Sequence, residues 1–160
     1  TRYVSYISRY GASDYNQDVI EVDLEKDLTA DAKNAVSIQE YDGKKTVVTS
    51  DEDSVAWNLN VKKAGLYTIQ VEYYTIEGYG SNIERNVYID GEYPFDEAEG
   101  VEFTRVYADE VPNPSGLLNR PNQIEKNSWV VAYVTDAMGY YTPALSFYLT
   151  EGKHTLTFEL

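Results

Sequence analysis

Val55, Trp57, Leu59 and Val61 alternate with Ser54, Ala56, Asn58 and Asn60. A period of two puts successive side chains on opposite sides of an extended backbone, so this run is a strand with one buried face. A helix, whose faces repeat every ~3.6 residues, cannot bury that pattern. The same rhythm returns at Tyr67, Ile69, Val71 and Tyr73, after a turn over 62–65. Two such strands around a short turn predict an antiparallel hairpin. Val87 and Ile89 continue the pattern, and Asp90-Gly91 is a strong turn signal. Near the end, Leu145, Phe147 and Leu149 face one way, Glu151-Gly152 turns the chain, and Leu156, Phe158 and Leu160 face the core again. Weaker strands are expected over 19–23, 36–40, 46–49 and 129–135. Many short alternating strands separated by turns predict an all-β sandwich or jelly roll.

One segment breaks the rhythm. Tyr3, Ile7 and Tyr10 recur at spacings of three and four, which fits a short amphipathic helix, and Gly11 is a stop signal. Residues 12–17 read as a linker. The organisation expected is a helix and linker over 1–17, then one sandwich over 18–160. A chain of 160 residues suits this, because a domain near that size buries roughly 70% of its extended-chain surface. Between Glu92 and Asn127 lies a long stretch rich in proline and poor in periodicity, read as loop.

Charge and composition remove several function classes. The net charge is −14, from 27 acidic and 13 basic residues, with no basic stripe. Such a surface repels phosphate backbones and anionic membranes, so nucleic acid is not expected as a partner. No apolar run is long enough for a membrane span. With no cysteine, disulfides, thiolate metal sites and cysteine nucleophiles are absent. Thr1 reads as a trimmed start, so a larger parent chain with neighbouring domains is expected.

Catalytic signatures are also missing. The sequence holds no GxSxG elbow, HExxH helix or P-loop. Its one histidine, His154, shares the parity of Leu156 and Phe158 and reads as an edge-of-core residue. Abundant carboxylates will always supply some pair, so their number does not argue for glycoside hydrolysis. The chain is expected not to be an enzyme.

Ile20-Glu21-Val22-Asp23, the run from Trp57 to Ile69, Val87-Tyr88-Ile89-Asp90-Gly91 and Glu151-Gly152-Lys153-His154-Thr155-Leu156 resemble stretches of the carbohydrate-binding modules of families 6 and 35. Ile83-Glu84-Arg85, the run from Ile89 to Phe95 and Gly139-Tyr140-Tyr141-Thr142 are similar to jelly-roll domains attached to extracellular solute-binding proteins of gut Firmicutes. The resemblance implies a galactose-binding-like jelly roll, extracellular or anchored at the cell surface. It also implies a structural calcium near the first strand, with Glu21 and Asp23 as ligands, two residues apart on one strand side. The second acidic position is Asp23 where the family more often has glutamate, and the family's further strand is not seen after Leu160.

A sugar needs an aromatic face, with amides, carboxylates or arginine fixing its hydroxyls. Trp57 shares its face with Val55, Leu59 and Val61, so it belongs to the core. Trp129, Tyr140, Tyr141 and Tyr79 fall at loops, with Asn82 and Arg120 as polar partners. Trp129 is expected to be partly exposed beside Tyr140 or Tyr141. The function expected is non-catalytic recognition of an oligo- or polysaccharide. The alternative is a structural or protein-interaction domain accompanying a solute-binding protein.

Overall fold

The computed structural model describes residues 1–11, 19–48, 54–76, 83–104, 106–109, 123–126, 128–141 and 144–159. The expected linker over 12–17 and Leu160 lie outside them. In chain order the elements are α1 (Tyr3–Tyr10), α2 (Ala30–Ala35), β1 (Ser37–Tyr41), β2 (Lys44–Val48), β3 (Val55–Val61), β4 (Gly65–Thr68), β5 (Gln70–Thr75), β6 (Ile83–Ile89), a 3-10 turn (Asp96–Ala98), β7 (Val101–Phe103), β8 (Val106–Asp109), β9 (Gln123–Lys126), β10 (Ser128–Tyr133), β11 (Ser146–Leu149) and β12 (Gly152–Glu159). The protein is an all-β sandwich with a short N-terminal helix.

The first layer has the order β3-β12-β6-β7. At its centre β12 pairs antiparallel with both neighbours, placing Leu156 opposite Trp57 and Ile89, and Phe158 opposite Val55 and Val87. In the second layer β4 and β5 follow one another through Ile69, pairing with β11 and β10 respectively. Val134 N–H donates to Ile69 O at 2.8 Å, and Leu145 N–H donates to Val134 O at 3.0 Å. These two bonds close the neck of an excursion over 135–144. They also place β10 and β11 end to end along the same side of β4–β5. Val55, Trp57, Leu59, Val61, Leu156 and Phe158 from one layer meet Leu145, Phe147 and Leu149 from the other in a single core.

The hairpin expected around 62–65 does not form. β3 pairs with β12, and β4 pairs with β11, so the turn carries the chain from one layer to the other. Glu151-Gly152 does the same between β11 and β12, with Gly152 at φ 122°. Alternation fixes which face of a strand is apolar. A strand crossing to the opposite layer buries that face as well as one pairing alongside. The strand expected over 19–23 is also absent. Asp23 begins a turn there: its Oδ1 accepts from Glu25 N–H at 3.1 Å and Lys26 N–H at 2.9 Å. Asx chemistry of this kind competes with extended pairing. The chain then runs along β3, with Thr29 N–H on Ala56 O and Asn58 N–H on Asp27 O. The stretch read as loop between Glu92 and Asn127 contains β7, β8 and β9.

Helix α1 is built into the sandwich. Glu97 caps its first turn from 94 residues away, both carboxylate oxygens accepting from Tyr3 N–H at 3.0 and 3.1 Å. Tyr3 and Tyr6 are buried against Phe95, which also meets Phe147. Tyr3 Oη accepts from Ser146 N–H at 2.9 Å, and Tyr6 Oη from Tyr148 N–H at 2.6 Å. Those two N–H groups point away from β4, so the hydroxyls take the place of a neighbouring strand along β11.

His154 ties two turns together. Its Nδ1 lies 2.6 Å from Asp90 Oδ2 and its Nε2 lies 2.8 Å from Thr150 O. Asp90 Oδ1 accepts from Thr155 N–H at 2.8 Å. Asp90 and Gly91 both have positive φ, 53° and 81°, as an Asp-Gly turn requires. With acceptors at both nitrogens, the doubly protonated ring fits best. Burial pulls its pKa down, but the Asp90 carboxylate and Thr150 carbonyl outweigh this and hold it above the ordinary imidazole value.

Two outcomes are expected. Tyr6→Phe keeps the ring and removes the acceptor, leaving Tyr148 N–H without a partner. Urea titration should show a loss of about 1–3 kcal/mol, with faster hydrogen exchange at that amide. Burial also pushes the Tyr6 phenol above its ordinary value against the pull of Tyr148 N–H. The stability it contributes is complete below about pH 10 and falls as pH rises further. For His154 the folded value is likewise the raised one. Its contribution is full below about pH 6.5 and is lost as pH rises through the folded value. Urea midpoints across that range should fall with pH in the native chain and fall less in His154→Gln. Parallel curves would show that the His154 contact contributes nothing.

Candidate functional site

The pairing of β10 with β5 sorts their side chains. Val130 faces Tyr73 and Ala132 faces Val71 on the core side, whereas Trp129 faces Tyr74, Val131 faces Glu72 and Tyr133 faces Gln70 on the outer side. One end of this outer face is covered. The β1–β2 hairpin, turned by Asp42-Gly43, lays Tyr41 on Tyr74 with ring centroids 4.8 Å apart, and Tyr74 meets Trp129 at 5.3 Å. Trp129 Nε1–H donates to Tyr41 O at 3.1 Å. Lys44 Nζ sits 5.2 Å from the centre of the Trp129 ring and pairs with Glu72. Trp129 is half-buried as expected, but its indole is occupied in seating the hairpin.

The other end is open. Val131 is 57% exposed and Tyr133 46%, followed by Met138 at 72% and Tyr140 at 78% in the excursion over 135–144. The loop that carries the last two is held by one buried carboxylate. Asp136 Oδ1 accepts from Met138 N–H at 3.1 Å, and Oδ2 from Tyr140 N–H at 2.9 Å. Gly139, at φ 74°, completes the turn. Tyr141 turns back and packs edge-on against Tyr3 at 4.7 Å.

Trp129 was expected beside Tyr140 or Tyr141; its ring contact is with Tyr74, and that of Tyr141 is with Tyr3. Trp129 stands near the start of β10 (Ser128–Tyr133), and the tyrosines follow its far end, which is about 14 Å further along the strand. Tyr140 faces solvent, Tyr141 belongs to the helix packing, and Trp129 belongs to the hairpin. Tyr79, Asn82 and Arg120 lie outside the described residues. Val131, Tyr133, Gln70, Glu72 and Asp136 were not singled out from the sequence. Parity with Trp129 marks Val131 and Tyr133, but the residues opposite them depend on a strand pairing that periodicity does not encode.

Glu21 and Asp23, the expected calcium ligands, are both exposed on the stretch before α2. Asp23 caps its turn, and the Lys26 N–H, then the Glu25 N–H, hold its carboxyl below the ordinary value. Among the described residues no three histidine or acidic side chains converge on a metal position, while calcium takes six to eight oxygens. A cleft of about 830 Å³ opens beside this turn, with Lys26, Lys33 and Lys45 around Leu24 and Ile38. Among the described residues its lining includes no aromatic ring. On the first layer, Tyr88 and Tyr93 stack at 4.4 Å, and their hydroxyls meet near Glu159.

Compared with models of known protein families the chain matches none, and no curated protein matches it. The carbohydrate-binding resemblance therefore rests on the quoted motifs alone.

Trp129→Phe tests the seating role. It removes the donor to Tyr41 O while keeping an aromatic ring. Hydrogen exchange in β1 and β2 should quicken and stability fall by about 1 kcal/mol. Unchanged exchange there would mean that the indole does not hold the hairpin.

Proposed function

We propose that the chain is a non-catalytic carbohydrate-binding module of a secreted or surface-anchored bacterial protein. In this reading the two layers are a galactose-binding-like jelly roll, and the sugar is met by Tyr133 and Tyr140. The observation that carries it is Tyr140, an aromatic ring left to solvent on a backbone that buried Asp136 fixes. A pre-ordered aromatic offers a sugar C–H surface a partner at small entropic cost. Gln70, opposite Tyr133 on the outer face, supplies amide groups for hydroxyls.

A second reading is favoured by Val131 and Met138. Both are apolar and exposed, Val131 on the strand of Tyr133 and Met138 in the loop of Tyr140, which suits a protein surface better than a sugar. A domain that positions a neighbouring solute-binding domain would use them.

A glycan-array screen of the chain, followed by calorimetry on any hit, separates the two. Tyr140→Ala and Tyr133→Ala should each weaken sugar binding about tenfold or more and leave the melting temperature unchanged. Val131→Ser should leave it nearly unaffected. If no glycan binds, or if both tyrosine variants bind as well as the native chain, the carbohydrate reading is lost.

A further inference from the structure

β10 and β11 form one continuous edge of the second layer, and α1 covers only half of it. Tyr3 and Tyr6 take the outward N–H groups of Ser146 and Tyr148. On β10 the bond from Val134 to Ile69 fixes the parity. The N–H groups of Val130 and Ala132 face β5, and those of Val131 and Tyr133 face the outer edge. Among the described residues no strand pairs along that edge, and no acceptor meets either group. The run Trp129-Val130-Val131-Ala132-Tyr133 contains no charge and no proline. Lysine, proline and bulges are the usual means of keeping an edge from pairing, and this one has none of them.

We propose that the open edge of β10 is a strand-addition site for an extended, basic segment of a partner polypeptide. An incoming strand finds the β10 donors and carbonyls already aligned by β5. Its alternate side chains lie on the outer face beside Val131 and Tyr133, both exposed and apolar. Charge selects between occupants. A second copy of this chain brings another net charge of −14 and is repelled, whereas lysines or arginines on the added strand are drawn in. This site uses the backbone edge of β10 rather than the ring of Tyr140, and it shares only Tyr133 with the proposed sugar platform.

The test uses the whole chain and a short capped peptide alternating valine and lysine. A second peptide has the same sequence with alternate amides N-methylated, so that it cannot pair. The first peptide should slow hydrogen exchange at the Val131 and Tyr133 amides, and the methylated one should not. Val131→Pro removes one outward donor and no bond to β5, a substitution that edge strands tolerate. It should lower peptide affinity about tenfold or more with glycan binding unchanged. The proposal is overturned if neither amide gains protection or if the methylated peptide binds equally. It is also overturned if the native chain self-associates with concentration and Val131→Pro abolishes that, since the occupant would then be a second copy.

Discussion

Two phenol oxygens on one turn of helix stand in for a missing strand. Tyr3 and Tyr6 are three residues apart, which places neighbouring side chains about 5–6 Å from each other. Ser146 and Tyr148 are two residues apart on a strand, about 6.8 Å. The rings bridge the difference, with centroids 6.3 Å apart. A helix can thus satisfy two successive outward donors of an edge strand with its side chains alone. An unpaired N–H beside a packed core costs about 1–3 kcal/mol, so the second layer depends on this match. The helix depends in turn on the sandwich. At eight residues it is too short to persist alone in water. Its cap comes from Glu97, and its buried tyrosines pack on Phe95.

The same division of labour runs through the other aromatics. Trp57 Nε1–H donates to Leu24 O at 3.1 Å, Tyr67 Oη–H to Lys63 O at 2.6 Å, and Tyr73 Oη–H to Thr104 O at 2.6 Å. In each case a ring packs on the sandwich while its polar tip holds a neighbouring segment. A tyrosine-rich composition therefore reflects how loops are fastened to the two layers. This is why Trp129 and Tyr141, both loop-flanking aromatics, turned out to be fasteners, and why Tyr140 stands apart from them.

What the sequence made legible was which face each strand buries. Val55, Trp57, Leu59 and Val61 are all buried, and Asn58 and Asn60 are exposed between them. The helix over Tyr3–Tyr10 and the Asp90-Gly91 turn follow from equally local chemistry. Pairing was not legible. β3 and β4 have the alternation of a hairpin and yet lie in different layers, because burial alone does not distinguish a neighbour alongside from a neighbour across the core. Helix α2 escaped notice for another reason. It has six residues and no apolar stripe, and its one signal is Thr29, whose hydroxyl accepts from Ala32 N–H at 3.3 Å. The candidate site was half legible: Tyr140 could be found as a loop aromatic, but Asp136 reads as an ordinary loop acid until its two backbone bonds are seen.

The edge cap and the exposed loop are mechanically connected. Tyr140 is followed at once by Tyr141, which packs on Tyr3, and Tyr3 holds the Ser146 N–H just beyond the end of the excursion. The loop is therefore pinned by Asp136 inside and by the helix at its far end. A backbone held at two points would lose little further freedom if, as proposed, a ligand met Tyr140, and that freedom is what recognition by a mobile loop would cost. Loosening α1 from β11 removes one of those pins as well as the edge cover. The helix, remote in sequence from the exposed surface, thus controls both how well the second layer is closed and how rigidly Tyr140 is presented.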